Sequence, residues 1–465
     1  MDYRIDLGHR QQTFHANMLK KYHRRPKEVI AAAIAVIEDE VMDEYAEEDK
    51  VLPNNEDLLQ LPRLIAKETV KDVKVNGELY NEQKWQVNQI LNDYSDVLTN
   101  IPGHTNLCKH RIKVTDNKPI QCKPYPIPHA IRYEVQQDIE TMQKLGVVTK
   151  CNNSPYAFPL VCVRKPDQTL RSCVDMRKLN QITVFDPEPI PDQEEIFSRL
   201  AQDKFFTKID LSKGYWQIPM EEDSRKYTSF ITPNGLYTFN MMPFGLVNAG
   251  ATFSRMMRKL LAGMDNVHNY IDDVLIHTMT WEEHMNTLRE FFQRLRMAHL
   301  TARPSKCHIA GQEVEFLGHI VGKGQLKPRP GKLEAIKEFK RPETKTQVRS
   351  FLGLAGYYRR FIPDFSTIAI SLTDSTKKGG PNKIVWGDEE ESSFQTLKSK
   401  LTSLPILHLP DLSKTFILRS DASNDGIGAV LLQQHDGELF PTAYASKKLN
   451  KHQKNYCVME KECLA

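Results

Sequence analysis

Long apolar runs are missing from this sequence. No stretch approaches the roughly 20 consecutive apolar residues of a bilayer-spanning helix, which argues against a membrane-embedded protein. A leader is missing too: MDYRIDLGHRQQ has no apolar h-region, and its acids are foreign to a transit peptide, so a cytoplasmic chain is expected. Eight cysteines (Cys108, Cys122, Cys151, Cys162, Cys173, Cys307, Cys457, Cys463) form no Cys-x-x-Cys pair, which argues against a zinc site or a disulfide framework and leaves reduced, structural thiols. Charge of one sign is scarce: 63 basic against 59 acidic residues give +4, so nucleic-acid binding would need a local basic patch. Internal repeats and low-complexity tracts are absent as well.

What is present is length and a change of texture along the chain. At 465 residues it exceeds what one hydrophobic core usually organises, and roughly two to four domains are expected. Residues 1–26 combine strand-like alternation in YRIDL with a basic HANMLKKYHRR segment. Residues 27–80 include EDEVMDEYAEED, whose like charges favour a solvated linker. From Asn81 the pattern turns globular, with Trp85, Ile90 and Leu91 at helical spacing. A later helix carries Val135, Ile139, Met142 and Leu145 and stops at Gly146. FPLVCVRK and RSCVDM read as strands about PDQT, and ITPNGLYTF reads as a hairpin with a type I′ turn at Asn234-Gly235. Capping boxes at Thr280 to Glu283 and Thr344 to Gln347 open two helices.

The chemistry concentrates in Tyr270-Ile271-Asp272-Asp273, two adjacent acids between apolar strand residues. Alone, such a pair is ordinary hairpin-turn chemistry. FFTKID alters the balance, because a period of two puts Phe206, Lys208 and Asp210 on one face, with Asp210 where the strand ends. Two strand ends can then bring three carboxylates together. Clustered carboxylates repel and raise one another's pKa, so the site calls for a cation, and an all-oxygen ligand set favours Mg²⁺, with Mn²⁺ as the substitute. Two ions about 4 Å apart suit in-line attack of a primer 3′-hydroxyl on an α-phosphate.

The strings VRKPDQTLRSCVDMRKLN, FFTKIDLSKGYWQIPM, FNMMPFGLVNAGATFSRMM, NYIDDVLIH, FLGHIVGKGQLKP and RSFLGLAGYYRRFIPDF resemble, in order, the motifs of gypsy-type LTR retrotransposon reverse transcriptases. That resemblance implies an α+β right-hand polymerase of fingers, palm and thumb, over residues 81–338. A connection (339–412) and a partial ribonuclease H-like α/β domain (413–465) would follow. Asp210, Asp272 and Asp273 correspond to the family's catalytic, metal-holding acids. Lys165 and Arg171 correspond to its triphosphate contacts, Tyr215 to the aromatic gate beneath the deoxyribose, and Phe244 and Gly245 to the nucleotide pocket. Phe316, Leu317, Gly318 and His319 correspond to its primer grip. The implied partners are an RNA or DNA template-primer and deoxynucleoside triphosphates. The sequence departs from the pattern at Phe158, Ser172, Met176 and Gly250, the last standing where the family usually has proline.

FILRSDASNDGIGAVLLQQ and the segment through EKECLA resemble the start of a ribonuclease H domain, with Asp421 and Glu462 as metal-holding acids and Glu460 as the neighbouring alternative to the latter. The family needs a further Asp, so this domain is expected to be cut short and inactive. Residues 1–26 faintly resemble an integrase tail, implying a polyprotein with integrase and protease, although the sequence holds no protease D-[ST]-G motif. The implied location is cytoplasmic, or a virus-like particle. Two rivals stand beside this reading: an RNA-dependent RNA polymerase, and a decayed fragment that binds nucleic acid without catalysis.

Overall fold

FFTKID forms the strand Phe205–Asp210 at the centre of a five-stranded sheet. In spatial order the strands are Val267–Tyr270, Asp273–Thr278, Phe205–Asp210, His308–Gly311 and Lys74–Val75. All pairings are antiparallel except the last. The structure is a computed structural model and describes residues 2–6, 11–15, 66–164, 170–189, 191–377, 382–403, 405–435 and 437–465.

The two faces of this sheet feed different cores, as a period of two dictates. Ile209, Val274 and Ile276 enter a core with Phe253, Leu288, Phe291 and Phe292, supplied by the helices Ala249–Leu260 and Trp281–Met297. Phe206 and Leu275 enter a second core with Phe316, Phe351, Tyr358 and Phe394. Lys208 and Asp210 share the face of Phe206, as the alternation of FFTKID predicts.

A second five-stranded sheet runs Val148–Cys151, Gly235–Phe239, Phe230–Thr232, Phe158–Arg164, Leu170–Val174. The helix before it, Arg132–Lys144, buries Val135, Ile139 and Met142, and Gly146 at φ +69° follows its end. A four-stranded sheet joins Glu313–Phe316, His319–Gly322, Gln325–Pro328 and Leu407–His408. Three antiparallel strands, Phe416–Ala422, Gly426–His435 and Glu438–Lys448, form the last sheet. Its close approach to the preceding helices needs Gly428, where a Cβ would stand 2.3 Å from the Asp364 carboxylate.

Three expectations are revised. The 27–80 linker is shorter than read: Lys74–Val75 joins the central sheet, Val73 and Leu79 are buried, and Glu68 pairs with Arg303. Its acidic run and the basic segment of 1–26 lie outside the described residues, while Asp2–Asp6 and Gln11–His15 pair as a hairpin. The ITPNGLYTF turn falls on Pro233 and Asn234, because Thr232 pairs with Gly235. Proline fixes φ near −65° and cannot enter a type I′ turn, so Gly235 opens the second strand at φ +131°. Trp85 is 61% exposed, and Val87 takes the buried position with Ile90 and Leu91. Within 339–412, Leu407–His408 is the fourth strand of the four-stranded sheet, and Phe351 and Phe394 share the second core.

Candidate active site

Asp210 and Asp273 are direct cross-strand partners. Asp272 lies beside them in the two-residue turn Ile271-Asp272, closed by the Tyr270 to Asp273 pair. Ile271 holds φ +54°, a region that a β-branched residue enters only at a cost of about 1–3 kcal/mol, and such strain concentrates where function fixes the backbone. Gly214 approaches this turn so closely that a Cβ there would meet the Phe253 ring at 2.9 Å and Asp272 Cγ at 3.8 Å.

Burial pushes the Asp210 carboxyl up to about 6; Lys306 opposes this and the charge of Asp273 adds to it. Lys306 Nζ lies 3.6 Å from Asp210, and Lys208 Nζ lies 3.1 Å from Asp273. Two ammonium groups thus face two of the three acids. Among the described residues no three acid, Cys or His side chains stand ready-gathered around one point. An oxygen-only set with a buried, reluctant carboxylate still fits a hard divalent cation, whose charge would do more strongly what the lysines do here.

Arg303 ties this corner to the N-terminal residues. Its backbone N–H donates to Asp210 O at 2.9 Å, and its guanidinium donates to Glu68 Oε1 at 2.8 Å. Burial alone would raise the Glu68 pKa, but hydrogen bonds from Ser305 and Arg303, with the guanidinium charge, hold it below the ordinary value.

One cavity contains Asp210, Asp272, Arg171, Lys213, Trp216 and Phe244 in its lining. The Arg171 guanidinium sits 5.7 Å from the Phe244 ring centroid. Tyr215 stands one layer back, its ring 5.1 Å from Phe244 and 5.5 Å from Phe253, and burial raises its hydroxyl pKa. Gly245, at φ +90°, shapes the bend behind Phe244, and its carbonyl accepts from Asn180 Nδ2 at 2.8 Å. Lys165 lies outside the described residues.

A larger cleft opens on the other side of the acids. It joins Asp210 and Asp273 to the hairpin turn Leu317-Gly318 and includes Lys74, Lys208, Arg303, Lys306, Arg329 and Lys332.

Residues 163–321 match the family described as reverse transcriptase (RNA-dependent DNA polymerase), and residues 386–465 match the RNase H-like domain found in reverse transcriptase. The chain is similar to reverse transcriptases over these two segments. It is 41% identical over 369 residues to the retrovirus-related Pol polyprotein from transposon 297 of Drosophila melanogaster, covering 78% of this chain and 34% of that protein. With the Pol polyprotein of transposon gypsy from the same organism it shares 33% identity over 414 residues, 85% of this chain and 39% of that one. The chain thus spans about a third of the length of these relatives. A foamy viral protease-reverse transcriptase in complex with RNA/DNA hybrid superposes with a TM-score of 0.76 at 25% identity, over 86% of this chain and 55% of that chain. The dRH form in complex with double-stranded DNA gives 0.78 at 25%, over 86% and 71%. The right-hand α+β fold implied by the sequence motifs is the fold found. The RNase H-like match starts at residue 386, inside the stretch read as connection.

In the RNase H-like part, Asp421 lies on strand Phe416–Ala422 opposite Gly428, and Glu462 on helix Val458–Leu464. Glu460 Oε2 accepts from Cys457 N at 2.8 Å as a helix cap, which commits it structurally. Lys461 anchors the helix by donating to Asn424 Oδ1 at 3.1 Å.

Sequence reasoning assigned no role to Lys306, Arg303 or Glu68. No periodicity marks them: Arg303 caps and Lys306 ends the short helical turn Pro304–Lys306, Glu68 lies in irregular chain, and only the packing of distant segments brings them to this corner. Lys208 did carry a signal, its shared face with Asp210. Among the described residues no helix is long and apolar enough to cross a membrane.

Proposed function

We propose that this chain is an RNA-directed and DNA-directed DNA polymerase that transfers nucleotides from deoxynucleoside triphosphates to a primer 3′-hydroxyl. The observation that carries this reading is that Asp210 lines two cavities, with its cross-strand partner Asp273 in one and Asp272 in the other. Residues 81–338 supply fingers, palm and thumb, and the sheet around Phe205–Asp210 is the palm.

Asp210, Asp272 and Asp273 would hold Mg²⁺, which when bound activates the primer hydroxyl and neutralises the departing pyrophosphate. Arg171 on its strand, with Lys165, receives the triphosphate. Phe244, backed by Tyr215, sets the floor under the sugar, where a fixed ring excludes a 2′-hydroxyl by sterics. Lys208 and Lys306 neutralise the acids until cations and substrate arrive. The template-primer occupies the larger cleft. That the similar foamy viral structures are complexes with double-stranded DNA and RNA/DNA hybrid supports a duplex as the ligand.

Asp421 and Glu462 are read as two acids of a hydrolytic site. A two-metal site of this kind takes a further Asp, and two acids alone misplace an attacking water. Within a retroelement, integrase and protease of the same polyprotein are the expected companions, and the cytoplasm or a virus-like particle is the expected setting.

Extension of oligo(dT) on poly(rA) by the purified chain tests the polymerase reading. Mg²⁺-dependent, dTTP-specific extension is expected. Binding of the duplex without extension would favour the nucleic-acid-binding rival, and preference for UTP would favour an RNA polymerase.

A further inference from the structure

The hairpin joining Glu313–Phe316 to His319–Gly322 turns on two residues, Leu317 and Gly318, both in the left-handed region at φ +48° and +68°. Glycine adopts that conformation freely, whereas leucine holds it only where the surroundings fix it. The support comes from the helix Lys345–Tyr357, 40 positions downstream. The Tyr357 hydroxyl donates to Leu317 O at 2.5 Å and the Tyr358 hydroxyl to Gly318 O at 2.9 Å. His319 Nδ1 donates to Leu317 O at 2.7 Å, and Arg329 N to Gly318 O at 3.2 Å. Each turn carbonyl therefore accepts two hydrogen bonds.

The fit is close. A Cβ on Gly318 would lie 3.1 Å from the Tyr357 hydroxyl and 3.2 Å from its ring edge, so the tyrosine fills the space of a side chain. The His319 ring is packed among Phe197, Tyr357, Tyr358 and Phe361 at centroid distances of 5.3 to 5.7 Å, which fixes the strand leaving the turn. With its carbonyls turned to the tyrosines, the turn presents Leu317 N–H and Gly318 N–H, for which no acceptor is found among the described residues. This turn lines the same cleft as Asp210 and Asp273.

We propose that Tyr357 and Tyr358 are positioning residues for polymerisation, whose hydroxyls set the Leu317-Gly318 turn against the primer strand and so place its 3′ end relative to Asp210 and Asp273. This rests on the polymerase reading. It assigns the segment after the thumb a direct part in primer alignment, because a shift of that helix moves both hydroxyls and the turn with them. Nucleotide binding is not involved, since Arg171 and Phe244 line a different cavity.

The test replaces both hydroxyls while keeping the rings, Tyr357→Phe with Tyr358→Phe, and measures single-turnover extension of a poly(rA)-bound oligo(dT) primer across dTTP concentrations. The maximum rate should fall tenfold or more, primer-template should dissociate faster, and half-saturation by dTTP should stay within twofold. A merely structural role would lower the melting temperature but leave the rate per folded molecule intact, and that result overturns the proposal. If the double variant does not fold, the single variants decide: a threefold or greater loss in either supports the role, and wild-type rates in both overturn it. A wild-type chain that extends no primer would overturn the polymerase reading and this role together. Extension by wild type with an equally fast variant overturns the positioning role alone.

Discussion

Asp210 and Asp273 are paired across adjacent strands, and each faces its own lysine, Lys306 at 3.6 Å and Lys208 at 3.1 Å. Each acid thus has an ammonium group opposing its charge, which lowers the repulsion between the two carboxylates. Cation binding would then redirect the lysines, freeing them to meet phosphate oxygens in the cleft they line.

Replacing Asp272 with Asn should leave the fold intact and cost several kcal/mol of transition-state stabilisation, a rate loss of about 10³ or more. Single-turnover primer extension with circular dichroism as the folding control checks this. Wild-type extension by Asp272→Asn would remove the metal assignment.

Tyr215→Ala should relax sugar selection by roughly 10- to 100-fold, since Phe244 loses the ring 5.1 Å behind it. The ratio of dTTP to UTP incorporation measures it. An unchanged ratio would make Tyr215 a packing residue only.

Glu68→Ala should destabilise the chain by about 3–5 kcal/mol, because it leaves the Arg303 guanidinium, 14% exposed at the side chain, without its carboxylate. Denaturant melts of the variant and of Glu68→Gln would show it, the Gln form losing less. Equal stability of Ala and wild type would mean the pair contributes nothing.

Acid should unfold this protein early. Burial holds His110, His268 and His319 at about 4 and His284 at about 3, against an ordinary 6.5. Between these values the unfolded chain binds protons that the folded chain refuses, so stability is fully present above about 6.5 and falls as pH drops toward 4. Asp210, raised to about 6, has the opposite sign and is stabilising as it protonates. The depressed histidines outnumber the one raised carboxyl, so acidification below about 6.5 is destabilising on balance. Denaturation midpoints at pH 7 and pH 5 test this, and equal midpoints would contradict it.

Template-primer affinity should fall as salt rises, because Lys74, Lys323 and Lys332 in the cleft would displace counterions from phosphates. A binding constant flat from 50 to about 200 mM salt would exclude an electrostatic groove.

The sequence by itself determined what neighbours along the chain can impose. Alternation in FFTKID placed Lys208 and Asp210 on one face, Thr280 and Thr344 capped their helices, and Gly146 followed the end of another. Each rests on backbone preferences or side-chain reach within a few residues. Where a local rule was applied to the wrong pair, as at Asn234-Gly235, the fixed φ of Pro233 had already decided against it. Only the tertiary structure decided that Glu68 and Arg303, 235 positions apart, share a buried ion pair, and that Lys306 stands at Asp210. It alone decided that two tyrosines reach back to hold Leu317 in a left-handed turn. The packing of separate segments creates those contacts, and no sequence period encodes the distance between residues that meet only in the folded chain.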